Sequence, residues 1–186
     1  VFEADFGWLG GVLAGDEADV NEDTVYVVRR AERVVGTCRL TASVQDSRLG
    51  CLGAVATVPD CRGEGLAALV CEQAAADFDG RGGRGLLLGT GNPGAARVYA
   101  RLGWRYLAGT RVMLRVGAEH SPEEFMVNYF REGRDLPVVV RAGGPKDRVP
   151  LVPLILTPGD WAVLDANAGL GSTRYFTQRS CEGLHP

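Results

Sequence analysis

The sequence predicts an α/β fold: a mixed, mainly antiparallel sheet flanked by helices, with a C-terminal extension. Three observations predict it. Three Val- and Thr-rich segments lie close together between residues 24 and 59, and strands so near in sequence pair as an antiparallel meander. Two later segments carry helical periodicity: Leu66, Val70, Ala74 and Phe78 recur at i+4 with Leu69 beside them, and Ala95, Val98, Tyr99 and Leu102 fall at i, i+3, i+4 and i+7. Between them GLLLG, at 85–89, is a short unbroken apolar run, as in a strand buried on both faces. The order βββαβαββ is that of an α/β domain with a mixed sheet.

The elements follow in order. Residues 1–20 hold Phe6, Trp8, Leu9, Val12 and Leu13 among glycines, enough for a short helix. TVYVVRR (24–30) and RVVGTCRLTAS (33–43) are two strands with Ala31 and Glu32 as a tight turn. RLGCLGAVATVP (48–59) is the third, stopped by Pro59. Asp79-Gly80 ends the first long helix, and Pro93 opens the next, which Gly103 closes. WRYLAG and TRVMLRV (110–116) are two more strands. Beyond Val116 the pattern changes. SPEEFMVNYFREG (121–133) is a helix with Ser121 as N-cap, Pro122 in the first position and Glu123 and Glu124 in the first turn. PVVVRA (137–142) reads as a strand. VPLVPLILT (149–157) reads as an edge strand because it holds Pro150 and Pro153, and 158–169 as a helix start. Residues 1–116 thus form the core and 117–186 the extension.

The composition excludes several classes. A chain of 186 residues with 46% hydrophobic and 23% charged residues is sized for one folded domain and is not a disordered one. It has no apolar run of membrane-spanning length and no export leader. Without an initiator Met, Val1 is not expected to be the natural start. Its net charge is −3, and it has no Lys/Arg stripe, so neither nucleic acid nor membrane is expected as a partner. Five cysteines without a C-x-x-C pair point to no disulfide framework or metal site, and to reduced thiols in the cytoplasm.

The strongest motif is VATVPDCRGEGLAALV (55–70). A strand ends at a proline, a turn with Gly63 and Gly65 follows, and a helix opens. Glycines let the turn present its N–H groups outward, where with the positive end of the helix dipole they suit a pyrophosphate. Arg62 adds a fixed charge suited to phosphate. RGEG alone is equally the mark of an ordinary strand-to-helix turn. Together Val58, Pro59, Arg62, Gly63, Gly65, Leu66 and Ala67 resemble the acetyl-CoA loop of the GNAT N-acetyltransferase superfamily, often written Gln/Arg-x-x-Gly-x-Gly/Ala. Asp60 stands in the first position here. Glu64 is expected to point to solvent, since such a loop binds through backbone groups.

The second motif, NPGAARVYARLGW (92–104), resembles the other hallmark of that family. The resemblance implies that Asn92 contacts the CoA arm and that Tyr99 protonates the departing thiolate. Read alone, Tyr99 is better explained as a core aromatic at helical spacing. Seven residues put Asn92 and Tyr99 on one helix face. The resemblance spans about 2–116 and implies transfer of an acetyl group from acetyl-CoA to a primary amine, on a small molecule, by direct attack. Backbone N–H groups near Ala56, Thr57 and Val58 would hold the oxyanion. The strand 48–58 has no acid to serve as base, and neither His120 nor His185 is well placed. A water chain from the acidic stretch Asp16–Asp23 is one route for the ammonium proton. Other readings are an acyl-CoA-binding or protein-acetylating module, and, more distantly, a dinucleotide or S-adenosylmethionine enzyme through Gly89-x-Gly91-x-x-Gly94. The last lacks an acidic residue from Gly103 to Ala118. The family's opening strand is also missing ahead of Thr24. Leu154–Thr157 is therefore expected to pair with 24–30 in its place, within the chain or from a partner, which leaves a homodimer open; the alternatives are a separate small lobe or the start of a second GNAT-like unit.

Overall fold

The computed structural model describes residues 9–108, 110–118 and 120–156. A short helix α1 (Leu9–Ala14) precedes the meander β1 (Asn21–Arg30), β2 (Arg33–Ser43) and β3 (Leu49–Thr57). Then come α2 (Leu66–Gly80), β4 (Gly85–Gly89), α3 (Pro93–Arg101), β5 (Arg105–Tyr106) and β6 (Val112–Val116), and finally α4 (Pro122–Glu132) and α5 (Arg148–Leu156). Six strands form one sheet in the order β1-β2-β3-β4-β6-β5, and every pairing is antiparallel except β3 with β4. That is the mixed, mainly antiparallel architecture expected.

Strand alternation distributes side chains to two cores. Cys38, Leu40, Leu52, Leu86, Leu88 and Met113 face α2 and α3, where they meet Val70, Ala74, Phe78 and Trp104. Leu49, Cys51, Leu87, Val112 and Leu114 face the other way and meet Phe125, Met126, Val149 and Val152 of α4 and α5. Leu86, Leu87 and Leu88 are all at most 2% exposed, so β4 is buried on both faces as its composition requires. α4 starts with a capping box: the Ser121 side chain accepts from the Glu124 N–H, and the Glu124 carboxylate accepts from the Ser121 N–H.

The extension differs from its sequence pattern. The segment 149–156 lies in a helix, and residues 137–142 have no regular structure, with Val138 and Val140 more than 90% exposed. β1 pairs only with β2 among the described residues, so the expected pairing of 154–157 with 24–30 is not made there. The physical reason is the spacing of Val149 and Val152. At i and i+3 they share one helix face, and both are fully buried against the sheet. Pro150 sits in the first turn, where its missing N–H costs nothing. Packing then outweighs Pro153. Thr157 and the helix start at 158–169 lie outside the described residues, as do Phe6, Trp8, Cys181 and His185.

Under α5 lies a buried ionic cluster. Arg148, 2% exposed, reaches Glu17 at 2.9 Å and Asp23 at 3.0 Å; Arg39, 1% exposed, lies 3.4 Å from Asp23. Thr41 Oγ1 donates to Asp23 at 2.5 Å, and Asn21 donates to Glu17 at 3.0 Å. Paired charges and hydrogen bonds are the condition for burying such groups.

Candidate active site

β3 parts from β4 partway along the sheet. The two strands pair through Leu49, Gly50 and Cys51 against Gly85, Leu86 and Leu87 and no further. β3 runs on to Thr57 and β4 to Gly89. A bulge drives them apart: Arg39 pairs with Gly53 and Thr37 with Ala56, so Ala54 and Val55 together oppose Cys38. Ala54 takes φ +48, a left-handed conformation rare for a residue with a side chain. A bulge bends and twists its strand, and β4 no longer pairs with residues 53–57.

The loop after β3 is built for backbone presentation. Val58 N–H is tied to the Val35 carbonyl at 3.0 Å, and Pro59–Cys61 makes a single tight turn. Gly63 (φ +87) and Gly65 (φ +83) then take left-handed conformations, with no atom within 4 Å of where a Cβ would stand. Gly65 caps α2 without a side-chain acceptor. Leu69 N–H, on the Gly65 carbonyl at 3.0 Å, closes the first helical turn. The N–H groups of Leu66 and Ala67 therefore stay available at the positive end of a 15-residue helix. Arg62 Nε donates to the Thr57 carbonyl at 3.3 Å.

Two carboxylates in this loop are drawn away from it. Glu64 pairs with Arg30 at 2.5 Å and Asp60 with Arg33 at 2.7 Å. The hydrogen bonds from Arg30 and Arg33 hold both carboxyls below the usual range. Glu64 is exposed, as expected, and is also engaged by Arg30 at the end of the β1–β2 hairpin. Arg30 and Arg33 were not singled out in the sequence, since pairs separated by 34 and 27 residues leave no local signal.

α3 begins at the same end of the sheet, because β3 and β4 are parallel neighbours and each runs into its helix there. Asn92 is the N-cap of α3: its Oδ1 accepts from Gly94 N–H at 2.8 Å and Ala95 N–H at 3.3 Å. Tyr99 is 7% exposed in the core under α3, its ring 6.1 Å from Trp104. Gly103, at φ +96, ends the helix so that Trp104 folds back. Trp104 Nε1 then donates to the Leu86 carbonyl at 2.9 Å. Asn92 and the Gly63–Ala67 loop thus stand at the carboxyl ends of two adjacent parallel strands, the position where open α/β sheets bind ligands.

Two expectations are corrected here. Glu17 and Asp23 are nearly buried partners of Arg148, so the acidic stretch does not feed a water chain through them. The strand after α3 is the two-residue β5, which pairs with β6 and does not adjoin β4, so Gly89-x-Gly91-x-x-Gly94 does not sit in the unit of adjacent parallel strands that a dinucleotide fingerprint requires. Among the described residues no cluster could hold a metal ion, and no helix is long and apolar enough to cross a membrane.

Residues 21–106 match the family model of the acetyltransferase (GNAT) domain. A structure from Desulfovibrio desulfuricans assigned to the GNAT family superposes with a TM-score of 0.50 at 15% identity, covering 59% of this chain and 76% of that one. A Brucella melitensis GNAT acetyltransferase in complex with acetyl-CoA gives a TM-score of 0.49 at 19% identity, over 66% of this chain and 75% of that one. The ribosomal-protein-S18-alanine N-acetyltransferase of Escherichia coli gives 0.45 at 14% identity, over 60% and 78%. No curated protein matches the sequence.

Proposed function

We propose that this chain, a member of the GNAT acetyltransferase family through residues 21–106, moves an acetyl group from acetyl-CoA to a primary amine of a small molecule. The observation that carries the reading is the parting of β3 from β4 beside the open Gly63–Gly65 loop. The residues fit the co-substrate. Backbone N–H groups of Gly63, Glu64, Gly65, Leu66 and Ala67, with Arg62, would hold its diphosphate. Glu64 does not oppose this, because Arg30 holds its carboxylate. Asn92 would meet the pantetheine arm with the Nδ2 donors that its capping role leaves over. The thioester would lie along the freed side of β3, where N–H groups near Ala56 and Thr57 would stabilise the oxyanion formed as the amine attacks; the Val58 N–H, given to the Val35 carbonyl, takes no part. Tyr99 would protonate the leaving sulfur.

The test is steady-state kinetics of Tyr99→Phe against a panel of amines. Turnover should fall roughly 10²-fold or more with CoA affinity kept, the size expected of one lost general acid. Unchanged turnover removes Tyr99 from the mechanism. A module that binds acyl-CoA without turnover is the second reading, favoured by the absence of any acid on β3. It predicts CoA binding to the wild type with no product from any amine.

A further inference from the structure

A large cleft lies at the other end of the sheet. Its volume is about 1300 Å³, and it is walled by the residues just ahead of β3 and β4, the end of β6, the ends of α2 and α3, Arg105 of β5 and one face of α4. α2 separates it from the Gly63–Gly65 loop. Fifteen residues at about 1.5 Å each put roughly 20 Å between them. A ligand in this cleft therefore lies well away from the loop read as holding the diphosphate.

The cleft is cationic in a chain whose net charge is −3. Five arginines line it against two carboxylates. Both carboxylates are already used: Asp79 takes two nitrogens of Arg115, each at 2.7 Å, and Glu132 pairs with Arg48. Three guanidinium charges are left over. Arg105 donates to the His120 carbonyl at 2.5 Å, which takes a hydrogen bond but no charge. Arg84 and Arg131 are exposed and make no side-chain hydrogen bond or ion pair among the described residues. Guanidinium groups recognise planar or tetrahedral oxyanions through paired N–H donors. Unlike-charged neighbours quench such a cluster only in part: Glu124 lies near enough to Arg105 to act on it, and Arg84 and Arg131 keep their charge.

We infer that this cleft is a second binding site, for a small ligand carrying two or more oxyanion groups, phosphate or carboxylate, held by Arg84, Arg105 and Arg131 and separate from the acyl-CoA cleft. The test is calorimetry on the full chain presaturated with CoA, which occupies the first loop. Inorganic pyrophosphate is titrated in one arm and citrate in the other, at about 0.15 M salt so that loose surface attraction is screened. One further site is expected in at least one arm, and the arm that responds tells phosphate from carboxylate chemistry. Arg84→Ser/Arg131→Ser should weaken it at least about tenfold, the loss of one charge-assisted contact. Both side chains are exposed, so the variant should fold. A Gly65→Asp chain without CoA should keep the site, which separates this inference from the CoA reading. No heat in either arm, or heat unchanged by the double substitution, overturns it.

Discussion

Gly65→Asp separates folding from binding at the loop. Gly65 sits at φ +83 at the cap of α2, with no atom within 4 Å of the missing Cβ. A side chain therefore fits without a clash, and the cost is conformational, about 1 kcal/mol, at a position Asp tolerates better than most residues. Against this, a carboxylate at a helix N-terminus contributes about 0.3–1 kcal/mol. Stability should change by no more than about 1 kcal/mol in urea unfolding. Binding is different. A carboxylate about 4 Å from a diphosphate charge is repelled by about 4 kcal/mol at an effective dielectric of 20, which screening reduces to a 10²–10³-fold loss of CoA affinity. Calorimetry with CoA measures this directly. Acetyl-pantetheine, which has no diphosphate, is the control and should bind wild type and variant alike. Gly65→Ala, which adds strain but no charge, should lose no more than about tenfold. Equal CoA affinity in wild type and Gly65→Asp, or an equal loss for acetyl-pantetheine, would refute the placement of the diphosphate.

Three further outcomes are expected. Arg148→Met removes the cation within 3.0 Å of both Glu17 and Asp23, leaving nearly buried carboxylates one charge short; urea unfolding should show a loss of about 3–5 kcal/mol, and a loss under about 1 would contradict the buried network. Gly50→Ala places a Cβ 2.7 Å from the Phe78 ring, itself 2% exposed, so thermal unfolding should report overpacking of about 1–3 kcal/mol. The hydrogen bond from Arg141 lowers Asp147 from 3.8 to about 2. A depressed folded pKa stabilises above the unfolded value and is lost as pH falls through the folded one. The stability advantage of wild type over Asp147→Asn should thus be flat above about pH 4 and close between about pH 4 and 2, and a gap constant over that window would contradict the pairing.

Local signals carried most of the core. The hairpin turn at Ala31 and Glu32, the buried β4, the stop at Gly103 and the Ser121 cap are each decided within one turn of backbone or by one residue's conformational range. They were legible for that reason. The candidate loop was legible too, because glycines at Gly63 and Gly65 do a job that only backbone can do. What stayed hidden depends on contacts between distant residues. The partners of Glu64 and Asp60, the engagement of Glu17 and Asp23 by Arg148, and the bulge at Ala54 leave no pattern in their own neighbourhoods.

The extension shows where this boundary falls. PVVVRA has strand composition, yet β propensity is realised only when a neighbouring strand supplies hydrogen bonds and packing, and 137–142 meets no strand among the described residues. VPLVPLIL carries prolines that argue for an edge strand, yet Val149 and Val152 are worth more buried on Leu49 and Cys51 than the prolines cost a helix. By itself the sequence determined the strand and helix order of residues 21–116, and the glycine turn on which the functional reading rests. Only the tertiary structure decided which face α5 covers, which charges are neutralised, and that β3 parts from β4 after three residue pairs. Backbone preference acts over a few residues, whereas burial and charge pairing are settled by whatever the fold brings alongside.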